Sequence, residues 1–329
     1  MKILAYIPPV QVKSPARIYR GEGMLERLGA TVDYVTPEML NWDWAQWMRA
    51  GKEYDWLFLM RPAQPHEVQF ASRAQGFGIK LWYDLDDDYS AVEPDNAAWP
   101  TFQRQDVRDS WQWFLENADL VTYSTQGLVK KFGKGHWLPN ALDDKIFDLK
   151  KSYPAPKKGL ITWRGGGSHF QDLQDFAPML NSVIANSPDW TFHFMGFYPY
   201  WMSHKNVKVT QYIQDYWYFM SMFEQMKPWG HVVPLNDNGF NRSKSCIAAL
   251  EAIYAGAVPI VPNFEEWEIP GALVYNDAKS FMDALNTIKA MTEEEHQGRW
   301  TLAMNWLREN RSLSKVNEKR LEILLGASE

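Results

Sequence analysis

Three stretches of this chain combine residue types that can do chemistry together. The first is Trp163-Arg164-Gly165-Gly166-Gly167-Ser168-His169. Three successive glycines let the backbone approach a ligand closely, and consecutive amide N–H groups form an anion-binding nest. Arg164 adds a permanent positive charge, and a helix starting just afterwards would aim its N-terminus at the same anion. The spacing is neither that of a P-loop, which needs Gly-Lys-Ser/Thr, nor GxGxxG. A tight strand-to-helix turn is the plainer reading.

The second stretch runs from Pro234 to Ser245, PLNDNGFNRSKS, and continues through an apolar segment carrying Glu251. Its Asn, Gly and Ser residues supply donors near a helix start, beside Arg242 and Lys244. Glu251 follows Lys244 by seven residues, two turns of a helix. Its neighbours Ala248, Ala249, Leu250, Ala252 and Ile253 are apolar, and a carboxylate in such company needs a dedicated partner. A ribose diol donating two hydrogen bonds would be one.

The third is Asp84-Leu85-Asp86-Asp87-Asp88-Tyr89. Clustered carboxylates can activate an acceptor hydroxyl, bind a metal, or cap the next segment. Asp84 belongs to the strand; Asp86 and Asp87 are the better cleft groups and Asp88 an acceptor contact. Arg17 and Arg20 follow a long loop after the first strand and can meet phosphate or an anionic acceptor, with surface salt bridging the equal alternative. Of the histidines only His169 sits in a motif loop. His193 reads as a core histidine, and His136 is placed to face either the cleft or solvent. Cys246, alone of its kind, has no activating neighbour and reads as a small core residue.

The elements that must position these groups are legible from periodicity. Short β-branched and aromatic runs alternate with amphipathic stretches, as in parallel α/β units. Strands are expected at Lys2–Ile7, Thr31–Val35, Trp56–Met60, Lys80–Asp84, Leu120–Tyr123 and His136–Leu138, with helices at Tyr19–Leu28, Pro37–Ala50, His66–Gln75, Phe102–Asn117 and Thr125–Phe132. A Lys/Pro/Ser-rich segment, KKSYPAPKKG, reads as a linker. Beyond it strands are expected at Leu160–Trp163, Thr191–Met195, Val207–Val209, His231–Val233, Val258–Val261 and Leu273–Tyr275. Helices fall at Asp172–Asn186, Tyr216–Met226, Lys244–Ala255, Ala278–Met291, Glu293–Glu309 and Leu313–Leu325. The expected architecture is two α/β domains, 1–150 and 151–329, facing a cleft, with the last helices able to pack back on the first domain. Ligands of open α/β sheets bind beyond the carboxyl ends of the strands, where all three stretches fall.

Composition narrows the classes. The chain has 329 residues, enough for two cores. Its formal net charge is −6, divided as −4 up to Lys150 and −2 beyond, which disfavours binding nucleic acid by bulk charge. No run reaches the ~18 apolar residues of a membrane helix. The N-terminal apolar run stops at Pro8-Pro9, too short for a signal peptide, so a cytoplasmic protein is expected. Aromatics are abundant, with 17 Trp, 15 Tyr and 17 Phe. Trp44, Trp47 and Met48 share a helical face and are expected in a core or domain contact, with Trp42 exposed. The run Phe197–Trp201 is a candidate for stacking on a base.

Taken together, WRGGGSH, the segment from Pro234 to Pro262 and NADLVTYSTQGLVKKFGKGHWLPNALD, which ends its strand in Pro139-Asn140, resemble the retaining "group 1" nucleotide-sugar glycosyltransferases of the GT-B fold. The resemblance implies two Rossmann-like doubly wound domains facing a cleft, and an enzyme that moves a sugar from a nucleoside-diphosphate sugar to an acceptor hydroxyl. It implies that Glu251 holds the donor ribose and that Arg164, Gly165, Gly166 and Gly167 lie beside the diphosphate. Phe240, Asn241, Lys244 and Ser245 would contact sugar and phosphates. Asp86, Asp87 and His169 are the catalytic candidates, and Arg17, Arg20 and Asp88 the acceptor-side ones. No cofactor and no essential metal are implied beyond the donor itself. Many relatives carry an acid eight positions before the ribose-binding glutamate; here Ser243 stands there, and Asn241 or Ser243 is expected to substitute.

The acceptor is read as a saccharide or lipid-linked glycan. A second reading is a phage-type DNA glycosyltransferase acting on a hydroxymethylated base, for which Lys130, Lys131, Lys134, Lys150, Lys151, Lys157 and Lys158 could form a local basic track. A third, of another class, is a non-catalytic nucleotide-sugar-binding or assembly protein.

Overall fold

The structure, a computed structural model, describes residues 1–8, 15–197 and 202–327. Two six-stranded sheets lie in sequence, and every pairing within them is parallel. The first contains β1 (Lys2–Tyr6), β2 (Thr31–Tyr34), β3 (Trp56–Met60), β4 (Lys80–Leu85), β5 (Leu120–Tyr123) and β6 (His136–Trp137), in the order β2-β1-β3-β4-β5-β6. The second contains β7 (Lys157–Gly165), β8 (Thr191–Gly196), β9 (Val207–Gln211), β10 (Pro228–Val232), β11 (Val258–Pro262) and β12 (Leu273–Tyr275), in the order β12-β11-β10-β7-β8-β9.

Strands buried on both faces explain the weak alternation in the sequence. In the first sheet Ile3, Ala5, Trp56, Phe58 and Trp82 face one core, while Leu4, Tyr6, Leu57, Leu59, Leu81 and Tyr83 face the other. The helix Leu313–Gly326 packs on the first of these, adding Leu313, Val316 and Leu324. Lys80 donates to the Ala327 carbonyl and Asn317 to that of Met24, at 2.7 and 3.1 Å, tying the chain's end to the first sheet. Each sheet has one switch in strand order beside its central strands, β1/β3 and β7/β10, and the crevice outside such a point is where ligands enter doubly wound sheets. No helix among the described residues is long and apolar enough to cross a membrane.

Several element boundaries differ from expectation. The Tyr19–Leu28 helix is two short ones, Ala16–Arg20 and Glu22–Glu26, broken at Gly21. The Pro37–Ala50 helix is a 3₁₀ turn, Pro37–Asn41, followed by a helix Trp44–Glu53 that Asp43 starts through a capping box with Gln46. That restart rearranges the tryptophans: Trp47 is buried with Trp42 against it at 5.1 Å, and Trp44 is 66 % exposed. The Phe102–Asn117 helix divides into Trp99–Phe102 and Gln105–Asn117. Most relevant to the site, Lys244 and Ser245 are not helical: a turn Gly239–Arg242, capped by Asn238, precedes a helix Ile247–Ala255. Lys244 and Glu251 therefore share no helix face, and a loop brings the lysine to the carboxylate's side of the cleft.

Candidate functional site

A cavity of about 440 Å3 lies between the carboxyl ends of the two sheets. From the second sheet it is lined by Arg164, Gly165, Gly166, Ser168 and His169 after β7, and by Phe240, Lys244, Ser245 and Glu251 beyond β10. The first half contributes Tyr19, Arg61, Asp86, Asp87 and Asn140.

The glycine loop is shaped for close approach. A Cβ on Gly165 would strike the Trp163 ring at 2.7 Å and His169 at 2.9 Å, whereas Gly166 has nothing within 4 Å of such an atom. Gly165 is thus required by packing, and Gly166 leaves its face open to the cavity. Gly196, with φ +99°, closes against the Gly165 carbonyl, where a Cβ would sit 2.2 Å away. The helix Ile247–Ala255 begins at this cavity without a side-chain cap, and Ile247 and Ala248 line it, so its first amides remain available for an anion. The helix Phe170–Ala185 starts behind the glycine loop, its first N–H already bonded to the Gly167 carbonyl. Lys244 lies 4.7 Å from the Phe240 ring centre, and burial pulls its ammonium below the usual range.

Glu251 is 2 % exposed at the back of the cavity. Its Oε2 lies 2.6 Å from Arg164 Nη2, and its Oε1 accepts from the Tyr19 hydroxyl at 2.5 Å. The Tyr19 hydroxyl also hydrogen-bonds that of Tyr216; its single proton being given to Glu251, it is the acceptor there. Burial first, and then the Glu251 charge, hold the Tyr19 phenol well above its ordinary pKa, so it stays a donor. Tyr19 belongs to the first half of the chain, so this bond joins the halves across the cleft. Asn140 Nδ2 to Ser245 Oγ, at 2.8 Å, and Thr125 Oγ1 to the Ser243 carbonyl, at 3.1 Å, do the same nearby.

The carboxylates opposite are unequal. Asp86 takes Arg61 Nη1 on both oxygens, at 2.8 and 2.7 Å. Arg61 holds this position with φ +42°, a region that side-chain-bearing residues rarely occupy and that clusters at functional sites. Asp87 is pushed up to about 6 by burial and by the neighbouring Asp86, a value suited to a group that exchanges a proton near neutrality. Among the described residues no group of three or more His, Cys, Asp or Glu side chains is placed to hold a metal ion.

Other candidates lie elsewhere. Arg20, expected at an acceptor, is 1 % exposed. Its Nε donates to Asp84 Oδ2 at 2.8 Å, and its remaining nitrogens to Asp84 Oδ1 and the Leu138 carbonyl. Thr122 and, through it, Trp82 complete this buried network. An arginine so enclosed reaches no ligand. Asp88 is likewise buried, capping the turn Tyr89–Ala91 and paired with Lys131. Arg17 pairs with Glu22 and does not line the cavity. Gly167 is exposed beside it.

Neither expected substitute for the missing acid fits that role. Ser243 Oγ donates to the Phe240 carbonyl of its own loop at 2.7 Å, and Asn241 Nδ2 to Asp172, at the start of the helix Phe170–Ala185, at 2.8 Å. Cys246 is buried, its thiol pushed up to about 12 by burial and the neighbouring Glu266. His193 bonds Thr210, and His136 is exposed. The stacking candidates Tyr198, Pro199, Tyr200 and Trp201 lie outside the described residues. Of the proposed lysine track, Lys130, Lys131 and Lys151 are paired with Glu265, Asp88 and Glu224, which cancels much of its charge.

Sequence reasoning missed Arg61, Tyr216 and Asp172 at or behind this cavity, and it gave Tyr19 no role. Only Asp172 left a local signal, the His-x-x-Asp spacing that puts it one helical turn from His169.

No family model matches the sequence, and no curated protein matches it. Solved structures do match over the whole chain. A UDP-forming alpha,alpha-trehalose-phosphate synthase from Burkholderia xenovorans superposes with a TM-score of 0.64 at 13% identity, covering 100% of this chain and 99% of that one. The synthase from the same organism in complex with glucose-6-phosphate gives 0.63 at 14% identity, with 98% and 99% covered. An alpha-glucosyltransferase in complex with UDP and a 13-mer DNA gives 0.65 at 11% identity, with 99% and 100% covered. At these identities the likeness establishes the fold.

Proposed function

We propose that this GT-B chain is a glycosyltransferase that moves a hexosyl group from a nucleoside-diphosphate sugar to an acceptor hydroxyl. The observation that carries the reading is the cavity itself. It places Arg164, Lys244, the uncapped start of the helix Ile247–Ala255 and the Glu251 carboxylate on one wall, and Asp86, Asp87 and Arg61 on the other. The structural neighbours include UDP-forming synthases and a UDP-bound glucosyltransferase, so UDP-glucose is the first donor to test.

In this reading residues 151–329 form the donor side and 1–150 the acceptor side. Glu251 accepts the ribose hydroxyls. Arg164, Lys244 and the loop amides stabilise the diphosphate as negative charge develops on it, each charge-assisted contact contributing about 1.5–3 kcal/mol. Transfer is proposed to retain anomeric configuration: the bond from the anomeric carbon to the diphosphate breaks, the acceptor oxygen bonds on the same face, and the leaving phosphate oxygen takes the acceptor proton. In an inverting transfer the acceptor proton would go instead to a carboxylate of the acceptor wall, Asp86 or Asp87. Closure of the halves would exclude water and limit donor hydrolysis.

A saccharide acceptor is preferred to DNA because the acceptor wall carries two carboxylates against one arginine, with no net positive charge, and Lys130 and Lys131 are paired. A neighbour holds glucose-6-phosphate. A thermal-shift screen of UDP, GDP, ADP and TDP sugars tests the donor assignment, since specific ligand stabilises the native state. Stabilisation by none of them would overturn it.

A further inference from the structure

Among the described residues His169 alone of the histidines lines the cavity, and its hydrogen-bonding character is set by a residue behind it. Asp172, 5 % exposed, lies in the first turn of the helix Phe170–Ala185. Its Oδ2 is 3.0 Å from His169 Nδ1. Its Oδ1 accepts from the Asn236 amide at 2.9 Å and from Asn241 Nδ2 at 2.8 Å. Asp172 thereby ties the glycine-rich loop to the Asn-rich loop that delivers Lys244.

A carboxylate has no proton to give, so the ring nitrogen facing it carries the N–H. Although burial opposes it, the His169 bond and the Lys244 charge hold Asp172 below the usual carboxylate range. Burial and the Lys244 charge pull the His169 imidazole down to about 4, so the ring is neutral at pH 7. A neutral imidazole has one N–H, and once Nδ1 has it, Nε2 holds only a lone pair. His169 lines the cavity, and no described residue hydrogen-bonds its Nε2.

We propose that Asp172 is a positioning residue that locks His169 in the Nδ1–H form, so that Nε2 meets the donor as a hydrogen-bond acceptor and reads a hydroxyl of the transferred sugar. An ionised phosphate oxygen also only accepts, and two acceptors do not bond. The diphosphate is therefore left to Arg164, Lys244 and the loop amides, and His169 discriminates at the sugar. This assignment to a sugar hydroxyl rests on the donor reading above; the tautomer does not.

Asp172→Asn tests both. Oδ1 already receives two donors, so the amide keeps its oxygen there and turns its NH2 toward His169. Nδ1 must then accept, and the proton moves to Nε2. In two-bond nitrogen–proton NMR spectra of the histidine-labelled full chain, with His169 assigned by its loss in His169→Gln, the wild type at pH 7 should show Nδ1–H. Asp172→Asn should show Nε2–H, and Asp172→Glu should restore Nδ1–H. A wild-type ring protonated at Nε2, or at both nitrogens, would overturn the proposal even if the variants fail to fold. Titration with UDP and with UDP-glucose reads the second half. The preference for UDP-glucose over UDP should shift about tenfold in Asp172→Asn, the equivalent of one hydrogen bond. An unchanged preference with a switched tautomer would remove the sugar-hydroxyl role. Failure of either nucleotide to bind the wild type would count against the UDP donor, while the spectra still decide the role of Asp172.

Discussion

Tyr19→Phe should tighten nucleotide binding, although it deletes a hydrogen bond inside the proposed donor site. Both oxygens of Glu251 are engaged in the free protein, Oε1 by Tyr19 at 2.5 Å and Oε2 by Arg164 at 2.6 Å. Only 2 % of the residue is exposed, along the cavity wall, and Oε2 has no hydrogen bond of its own among the described residues. A ribose diol that donates to both oxygens must displace the donor already on Oε1, and that donor is Tyr19, from the opposite half, whose release opens the cleft. A hydrogen bond to a charged group contributes about 1.5–3 kcal/mol net. The released hydroxyl keeps Tyr216 as a partner, so the lower end applies, about 1.5 kcal/mol, and UDP should bind the variant about tenfold more tightly. The same change leaves a buried carboxylate oxygen unpartnered, costing the free protein about 1–3 kcal/mol of stability. Isothermal titration with UDP, together with melting curves with and without it, measures both. The free variant should melt lower and gain more from UDP than the wild type does. Equal or weaker affinity would refute the displacement and make Tyr19 part of the bound-state donor site.

Three further outcomes follow from the same geometry. Glu251→Ala and Lys244→Ala should each weaken UDP-sugar binding by roughly tenfold or more, from one charge-assisted contact apiece, as read by titration; unchanged affinity in both would sink the donor assignment. Asp84→Asn should lower unfolding stability in urea by about 3–5 kcal/mol, because it breaks a buried ion pair and leaves Arg20 uncompensated, with little effect on UDP affinity. Asp87, raised from 3.8 to about 6, binds more protons folded than unfolded between those values. Its contribution to stability is therefore greatest below pH ~4 and is lost as pH rises through 6. Transfer that needs its ionised form should rise over the same interval, and Asp87→Asn should remove both slopes from melting and rate profiles.

Much of the scaffold was readable because it depends on local periodicity. Runs such as Trp56–Met60 and Leu120–Tyr123 are apolar at consecutive positions because both sheet faces are covered, and their bounds match the strands found. The glycine loop was equally legible, since a turn that must let a ligand approach needs glycine in any context. Helix starts were less so. Lys244 to Cys246 look helical by composition, yet the Asn238-capped turn ends at Arg242 and the next helix begins only at Ile247.

Two parallel α/β halves and a set of charged and glycine-rich residues at strand ends follow from the order of residues alone, because hydrophobic period and turn chemistry act over a few residues. Which of those charges remain for a ligand follows from the packing of the two sheets. Arg20 meets Asp84 64 residues away and is consumed in a core, while Tyr19, its neighbour in the chain, crosses to Glu251 232 residues away and guards the cleft. A charge's role is set by what neutralises it at a few ångströms, and that partner is chosen by how the two sheets pack.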